Sequence, residues 1–174
     1  MNNLFKIIFI IICFSLNSCS KEKKINILKD ENLELQMVDA YKVALKALNE
    51  QDVIFAAKKF NEAEILYPQS IWAPKAALMA AYAYYTQDYF GDAIFELKRF
   101  IKKYPNNPKI DYAHFLLAMC YYESIIDEKK DLRPLLQAQE KFKFVIKEYP
   151  TTDFALDSQF KLDLIFDMLA SKEI

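Results

Sequence analysis

Few side chains in this sequence could do covalent or acid–base chemistry, and their spacing argues against it. His114 is the single histidine of 174 residues. It falls on a helix without a cysteine partner, and no spacing of His, Cys, Asp and Glu reproduces a metal-ligand pattern. Cys120 sits in the apolar stretch LLAMCYY, where a thiol behaves as a small buried hydrophobe and not as a nucleophile. The acid pairs Asp153/Asp157 and Asp163/Asp167 each lie i, i+4 on one helix, whereas acid–base catalysis needs a cleft that separates two pKa values. They read as a solvated or partner-facing edge. No catalytic residue, metal or cofactor is expected, and what remains is noncovalent chemistry. The chain holds 11 tyrosines and 14 phenylalanines, which can be core or binding surface. The question is sharpest in AYAYYTQDYFGDA, residues 81–93. Five rings (Tyr82, Tyr84, Tyr85, Tyr89, Phe90) surround the only glycine, Gly91, which reads as the turn between two helices.

Cys19 is reactive in another sense. The stretch MNNLFKIIFIIICFSLNSC carries a lysine at position 6, an apolar run from Ile7 to Leu16 and small polar residues before the cysteine, the layout of a secretory signal. Ten helical residues reach about 15 Å at roughly 1.5 Å each, half of a hydrocarbon core of about 30 Å, so the run is too short to span. Leu16-Asn17-Ser18-Cys19 looks like a bacterial lipobox. That similarity to lipoproteins implies cleavage after Ser18 and acyl chains on the new N-terminal Cys19. Ser20 follows, not the aspartate that holds many lipoproteins in the inner membrane. The expected address is therefore the outer membrane of a Gram-negative bacterium, on its periplasmic face. Of three cysteines, Cys13 leaves with the signal and Cys19 takes lipid, so Cys120 has no intrachain partner and a structural disulfide is excluded.

Removal of residues 1–18 takes one lysine and no acid, leaving 22 basic and 24 acidic residues, a net charge of −2. No basic face for nucleic acid is evident. Residues 19–31 read as a lipidated, charged tether, and residues 32–174 as one domain. A single glycine argues against a phosphate-cradling loop and against the tight turns of a β-rich fold. Ala, Leu, Lys, Glu and Phe at helical spacing make the domain all α.

The punctuation is periodic. Tyr67-Pro68, Tyr104-Pro105 and Tyr149-Pro150 recur at intervals of 37 and 45 residues. Repeated proline stops at this scale suggest stacked helical hairpins like tetratricopeptide repeats, a solenoid of about three and a half units. Counting back from each proline supports this. Ala56, Phe60, Ala63 and Pro68 match the second-helix pattern of such a repeat. Ala81, Tyr84, Ala93 and Pro105 match in the next unit, where Leu97 and Phe100 replace the expected Phe and Ala. Ala138, Phe142 and Pro150 match in the third. Tyr84-Tyr85 recur as Tyr121-Tyr122, 37 residues on, while Ala93 recurs as Ala138, 45 on, so eight extra residues fall in ESIIDEKKDLRP, a surface loop over 123–134. Helices are expected near 32–50, 53–66, 73–87, 91–103, 111–125, 134–148 and 153–171.

Two stripes share the helix of the opening segment. Ala77, Ala80, Ala81 and Tyr84 form a small-residue seam toward the partner helix of the hairpin. Leu78, Tyr82, Tyr85 and Tyr89 lie on another face, which in tetratricopeptide domains lines the concave surface. The equivalent positions are Tyr41, Leu45 and Leu48 before it, Tyr112, Phe115, Met119 and Tyr122 after it, and Asp157, Phe160, Leu164 and Asp167 in the last helix. The groove so defined is aromatic over three units and acidic at its far end. Tyrosine exposes up to roughly 150–250 Å², so three half-exposed rings approach the ~300–600 Å² of a functional surface patch.

With lipobox and repeats in place, the chain resembles the BamD family of outer-membrane β-barrel assembly lipoproteins. The resemblance runs from about residue 37 to the end and is clearest in YPQSIWAPKAALMAAYAYY, RFIKKYPNNPKIDYAHFLLAMCYY and YPTTDFALDSQFKLDLIFDMLASKE. It implies a non-enzymatic scaffold that binds the periplasmic POTRA region of BamA, works beside other lipoproteins of the machinery, and receives the C-terminal segments of unfolded β-barrel precursors. It places precursor recognition in the N-terminal repeats, where Trp72, Leu78, Tyr82 and Tyr85, with Phe115 and Tyr122 further along, are the expected groove residues. Family members continue for about two more repeats past the position of Ile174, and their main BamA-docking surface belongs largely to those repeats. The sequence therefore reads as C-terminally short, with a last helix (Phe160, Leu162, Leu164, Ile165, Met168, Leu169) apolar on more than one side. The competing reading is another periplasmic repeat lipoprotein, acting as an adaptor in envelope maintenance.

Overall fold

The computed structural model describes residues 22–125 and 131–170. Cys19, its cleavage site and residues 126–130 of the insertion lie outside the described residues. Seven α-helices occupy the described chain: α1 Glu22–Asn49, α2 Val53–Leu66, α3 Ala73–Tyr85, α4 Phe90–Lys103, α5 Ile110–Glu123, α6 Arg133–Glu148 and α7 Asp153–Ala170. Each packs on its neighbours in sequence, and α5 also touches α7. This is the expected all-α solenoid of helical hairpins. No helix among the described residues is long and apolar enough to cross a membrane.

The helix ends follow local chemistry. Tyr67, Tyr104 and Tyr149 each leave the helix with φ between −142° and −126° and ψ between 49° and 76°, because the proline that follows crowds the α conformation of the residue before it. Two starts are marked by side-chain acceptors: Asp52 takes the Phe55 N–H at 3.2 Å, and Thr152 Oγ1 takes the Ala155 N–H at 3.3 Å. Helix α1 starts about ten residues before its expected start, since residues 22–49 contain neither Pro nor Gly to stop it.

The turn between α3 and α4 differs from expectation. Gly91 is not the turn; it lies in the first turn of α4, without positive φ. The chain reverses at residues 86–89, where Asp88 takes φ 61°, a left-handed conformation that a short polar side chain tolerates. A Cβ built on Gly91 meets nothing within 4 Å. Gly91→Ala is thus expected to stabilise the domain by about 0.4–1 kcal/mol, raising the thermal midpoint by about 1–4 °C. A lower midpoint in a calorimetric scan would mean that the position needs glycine.

The core falls into two clusters that meet at α3. Ala76, Ala80 and Ala83 pack with Met37, Ala44, Ala56 and Phe60 of α1 and α2, whereas Ala77 and Ala81 pack with Ala93, Leu97 and Phe100 of α4 and with α5. The alanine seam expected as one stripe therefore serves two neighbours, with Tyr84 against both clusters. Alanine on both sides lets α3 sit close between two hairpins. The repeat positions Phe60, Ala63, Leu97, Phe100, Phe142 and Val145 are all fully buried. Phe100 beside Leu97 occupies the seam that Phe60 and Ala63 fill one unit earlier, a redistribution of volume that a core accepts.

Successive units are also tied by a polar network. Glu64 on α2 is only 1% exposed, and its carboxylate accepts from Arg99 Nη1 at 2.6 Å, Lys103 Nζ at 2.8 Å and Tyr104 Oη at 2.7 Å, all from α4 and its end. Arg99 also donates to Glu96 at 2.8 Å and to the Asn61 amide oxygen at 2.9 Å. One carboxylate fixes the register of one hairpin on the next.

Candidate functional site

Helices α1, α3, α5 and α7 are the first helices of successive units, and their facing side chains line two adjoining cavities. The larger, about 430 Å³, is formed by Lys75, Leu78, Met79 and Tyr82 of α3, Lys109 and Tyr112 at the start of α5, and Phe154 at the start of α7. The smaller, about 310 Å³, lies between α1 (Met37, Val38, Tyr41, Lys42, Leu45) and the start of α3 (Trp72, Lys75). Lys75 lines both, so the two form one groove.

The repeat places these residues. Trp72, Lys109 and Phe154 each stand four residues after the proline of a Tyr-Pro stop, and Lys75 and Tyr112 seven after. One helical turn separates the two positions, so each unit presents both to the same side.

The walls are rigid aromatic surfaces. Tyr41 meets Phe60 edge-on at 5.2 Å and Trp72 at 5.9 Å, and the Lys75 ammonium lies 4.6 Å from the Trp72 ring centre and 5.8 Å from that of Tyr41. Cations over ring faces are held by the quadrupole, which fixes the long Lys75 stem across the groove. Burial, with Tyr82 and Cys120 contributing, pushes the Tyr112 hydroxyl up to about 12, so it stays a neutral donor. Trp72 and Tyr82 remain 39% and 36% exposed, open enough to be touched.

Of the six residues expected to line a groove, Leu78 and Tyr82 share the larger cavity and Trp72 borders the smaller. The other three face neighbouring helices. Tyr85 is half-buried, donates its hydroxyl to Glu123 at 3.1 Å and tilts against Phe90 at 6.1 Å. Phe115 stacks on Phe154 at 5.3 Å and packs near Phe142. Tyr122 meets Phe142 edge-on at 6.3 Å, with the Lys161 ammonium 4.6 Å above its ring. These three line neither cavity. Lys75, Lys109 and Phe154, which do, were not among the expected residues, although counting from the Tyr-Pro stops reaches them.

The few reactive side chains sit in structural roles. Cys120 is fully buried, and burial, with Glu123 nearby, raises its thiol to about 12, so it stays protonated and inert. The His114 ring lies 4.6 Å from Phe144 and 5.8 Å from Tyr149; burial and Lys141 lower its pKa, favouring the neutral ring. Asp153, Asp157, Asp163 and Asp167 are exposed on α7, where Asp163 accepts from the Gln159 amide at 3.1 Å. No group of His, Cys, Asp and Glu among the described residues could hold a metal ion.

Comparison with known proteins agrees with this architecture. The family model YfiO, described as outer membrane lipoprotein, matches residues 33–174. The outer membrane protein assembly factor BamD of Caulobacter vibrioides is 32% identical over 165 residues, covering 95% of this chain and 53% of that protein. BamD of Rickettsia prowazekii is 30% identical over 165 residues, 95% of this chain and 64% of the relative. BamD of Neisseria gonorrhoeae is 25% identical over 144 residues, 77% of this chain and 54% of the relative. The chain thus spans about half to two thirds of the length of these relatives. With a stacked-hairpin fold, a groove on its first helices and a family match that covers most of its length, the chain belongs to the YfiO/BamD family of outer membrane lipoproteins.

Proposed function

We propose that this chain is a non-enzymatic scaffold of outer-membrane β-barrel assembly, lipid-anchored at Cys19 on the periplasmic face of the outer membrane. Its groove receives the C-terminal segments of unfolded barrel precursors, and the scaffold hands them to BamA by binding that protein's periplasmic POTRA region. The observation that carries this reading is the aromatic groove lined by the first helices of four successive units, in which Tyr82 and Trp72 remain accessible. Extended segments with alternating apolar side chains suit such a groove, because every second residue points to the same face and can enter a pocket. The relatives' name, outer membrane protein assembly factor, supports the same role.

Tyr82→Ala tests it. Truncating a half-exposed groove ring is expected to weaken binding of a C-terminal barrel peptide by about tenfold or more, within the 1–2 kcal/mol range of an aromatic contact residue. Tyr85→Ala should instead act on stability, because that ring is engaged with Glu123 and Phe90. Unchanged peptide affinity in folded Tyr82→Ala protein, measured by titration calorimetry, would make the ring packing only. Recovery of BamA with the protein from detergent-extracted envelopes tests the docking half of the proposal.

A further inference from the structure

Charge is not spread evenly over the hairpins. The first helices of the units, α1, α3, α5 and α7, carry formal charges of 0, +1, −2 and −3, whereas the second helices, α2, α4 and α6, carry 0, +2 and +2. The layer that bears the groove is therefore −4 and the other layer +4, a segregation that the net charge of −1 conceals. Within the second helices the repeat register locates these charges. Positions 12, 8 and 5 residues before the proline of each Tyr-Pro stop are fully buried, as with Ala93, Leu97 and Phe100 of α4, so positions 14, 10, 7 and 3 before it point away from the core. At these outward positions stand five exposed lysines, Lys58, Lys98, Lys102, Lys143 and Lys147, against one acid, Glu140. Lys147 pairs with Glu148 at 3.2 Å and Glu140 with Lys141 at 2.9 Å, while Lys58, Lys98, Lys102 and Lys143 are in no ion pair among the described residues. Four large apolar side chains, Ile54, Ile65, Phe95 and Leu136, share the same positions and are 49–72% exposed. A merely solvated lysine face has no use for them. Lysine mixed with exposed aromatic and aliphatic side chains is instead the composition of a surface that lies in a headgroup layer. Glu64 and Arg99 hold α2 to α4, and α4 and α6 share one core cluster, so the three outward stripes run side by side.

We propose that the outward face of α2, α4 and α6 rests on anionic phospholipid of the leaflet that holds the lipid anchor, which turns the groove on the first helices away from the membrane. This rests on the anchoring at Cys19 and adds an orientation to it. The anchor stands three residues before the start of α1, so the domain is held close to the headgroups and the contact needs little affinity of its own. Each lysine near an anionic surface favours the bound orientation by about fivefold. Attraction falls off within about 8 Å at physiological salt, so only the face lying on the headgroups feels it. The acidic layer with α5 and α7 is repelled by the same surface, and both effects select one orientation. The lysines orient the domain and do not replace the acyl chains, because an electrostatic contact is released by salt.

Two probes on opposite layers test this. Trp72, the only tryptophan, borders the groove, and its emission is quenched by brominated lipid only if that side meets the bilayer. Phe95→Cys on α4 carries an environment-sensitive NBD fluorophore; Cys120 is buried and protonated, so the new thiol is labelled alone. The full lipidated protein is reconstituted on phosphatidylcholine vesicles with and without phosphatidylglycerol. With phosphatidylglycerol the NBD emission is expected to shift to the blue, to revert in 0.5 M salt, and to leave Trp72 unquenched. Lys98→Gln with Lys102→Gln should lower the ratio of bound to free orientation by about tenfold or more. Lys46→Gln with Lys161→Gln, the same change of net charge on first helices, should leave it unchanged. An NBD signal indifferent to phosphatidylglycerol on protein that floats with the vesicles overturns the proposal and leaves the anchor intact, and quenching of Trp72 overturns the orientation. Protein that fails to float with phosphatidylcholine vesicles overturns the anchor and the proposal together. A probe silent on vesicles but shifted by a glutamate-rich amphipathic peptide would reassign the lysines to an acidic protein partner and overturn the proposal.

Discussion

Cys19→Ser is expected to move the protein from the membrane fraction to the soluble periplasmic fraction almost completely. Acyl chains contribute about 0.8 kcal/mol per buried methylene, and stable anchoring takes more than one chain. Serine at the same position offers no thioether to carry a diacylglyceryl group. Among the described residues no helix is long and apolar enough to cross a membrane and so to take the place of the acyl chains. The measurement is fractionation of envelopes after an alkaline carbonate wash, which strips proteins held only by other proteins. Retention of Cys19→Ser in the washed membrane would contradict the lipoprotein assignment.

Replacing Glu64 is expected to cost the fold most among the polar side chains. Its carboxylate is the common acceptor for Arg99, Lys103 and Tyr104 of the following hairpin. Breaking a buried ion pair from one side typically costs about 3–5 kcal/mol. Arg99 and Lys103 are 30% and 45% exposed at the side chain, so water recovers part of that, and we expect about 2–3 kcal/mol for Glu64→Ala. That corresponds to a midpoint lowered by about 4–12 °C for a domain of this size. Glu64→Gln keeps the shape and one acceptor for Tyr104, and should recover part of the loss.

The same group predicts a pH dependence. Burial alone would raise the Glu64 pKa, but the hydrogen bonds from Lys103, Tyr104 and Arg99 and the charge of Arg99 outweigh it, holding the carboxyl below its ordinary value of 4.5. A carboxyl with a depressed folded-state pKa stabilises fully above the unfolded value and loses that contribution as pH falls through the folded value. The gap in stability between the native protein and Glu64→Gln should therefore be constant at neutral pH and close below about pH 4. A gap unchanged at pH 3, in denaturant unfolding, would show that the network is not electrostatic.

Most of the helical frame was legible because backbone rules wrote it. The Tyr-Pro stops end α2, α4 and α6 where proline geometry requires, and the helical spacing of alanine and phenylalanine marked the buried seams. Gly91 misled because glycine is the usual reversal residue, yet here Asp88 adopts the left-handed conformation and Gly91 sits harmlessly in α4. Among groove residues, Tyr82 and Tyr85 look alike in sequence, three positions apart on one helix. What separates them is tertiary: Glu123 and Phe90 engage Tyr85, while Tyr82 looks onto the space between α3 and α5. Periodicity names a face but not which of its rings a neighbouring repeat covers. The groove lysines escaped for the opposite reason, since a lysine at a helix start reads as solvated surface until a cavity is seen beside it.

We propose that the groove on the first helices of the repeats holds the C-terminal segments of unfolded barrel precursors. A photoreactive benzophenone side chain placed at Tyr82, and in parallel at Phe95 of α4, which is 67% exposed and lines neither cavity, tests this in intact envelopes. On this account Tyr82 crosslinks to the C-terminal strands of barrel precursors during assembly and Phe95 does not. Equal labelling from both positions, or precursor crosslinks from Phe95 alone, would contradict it.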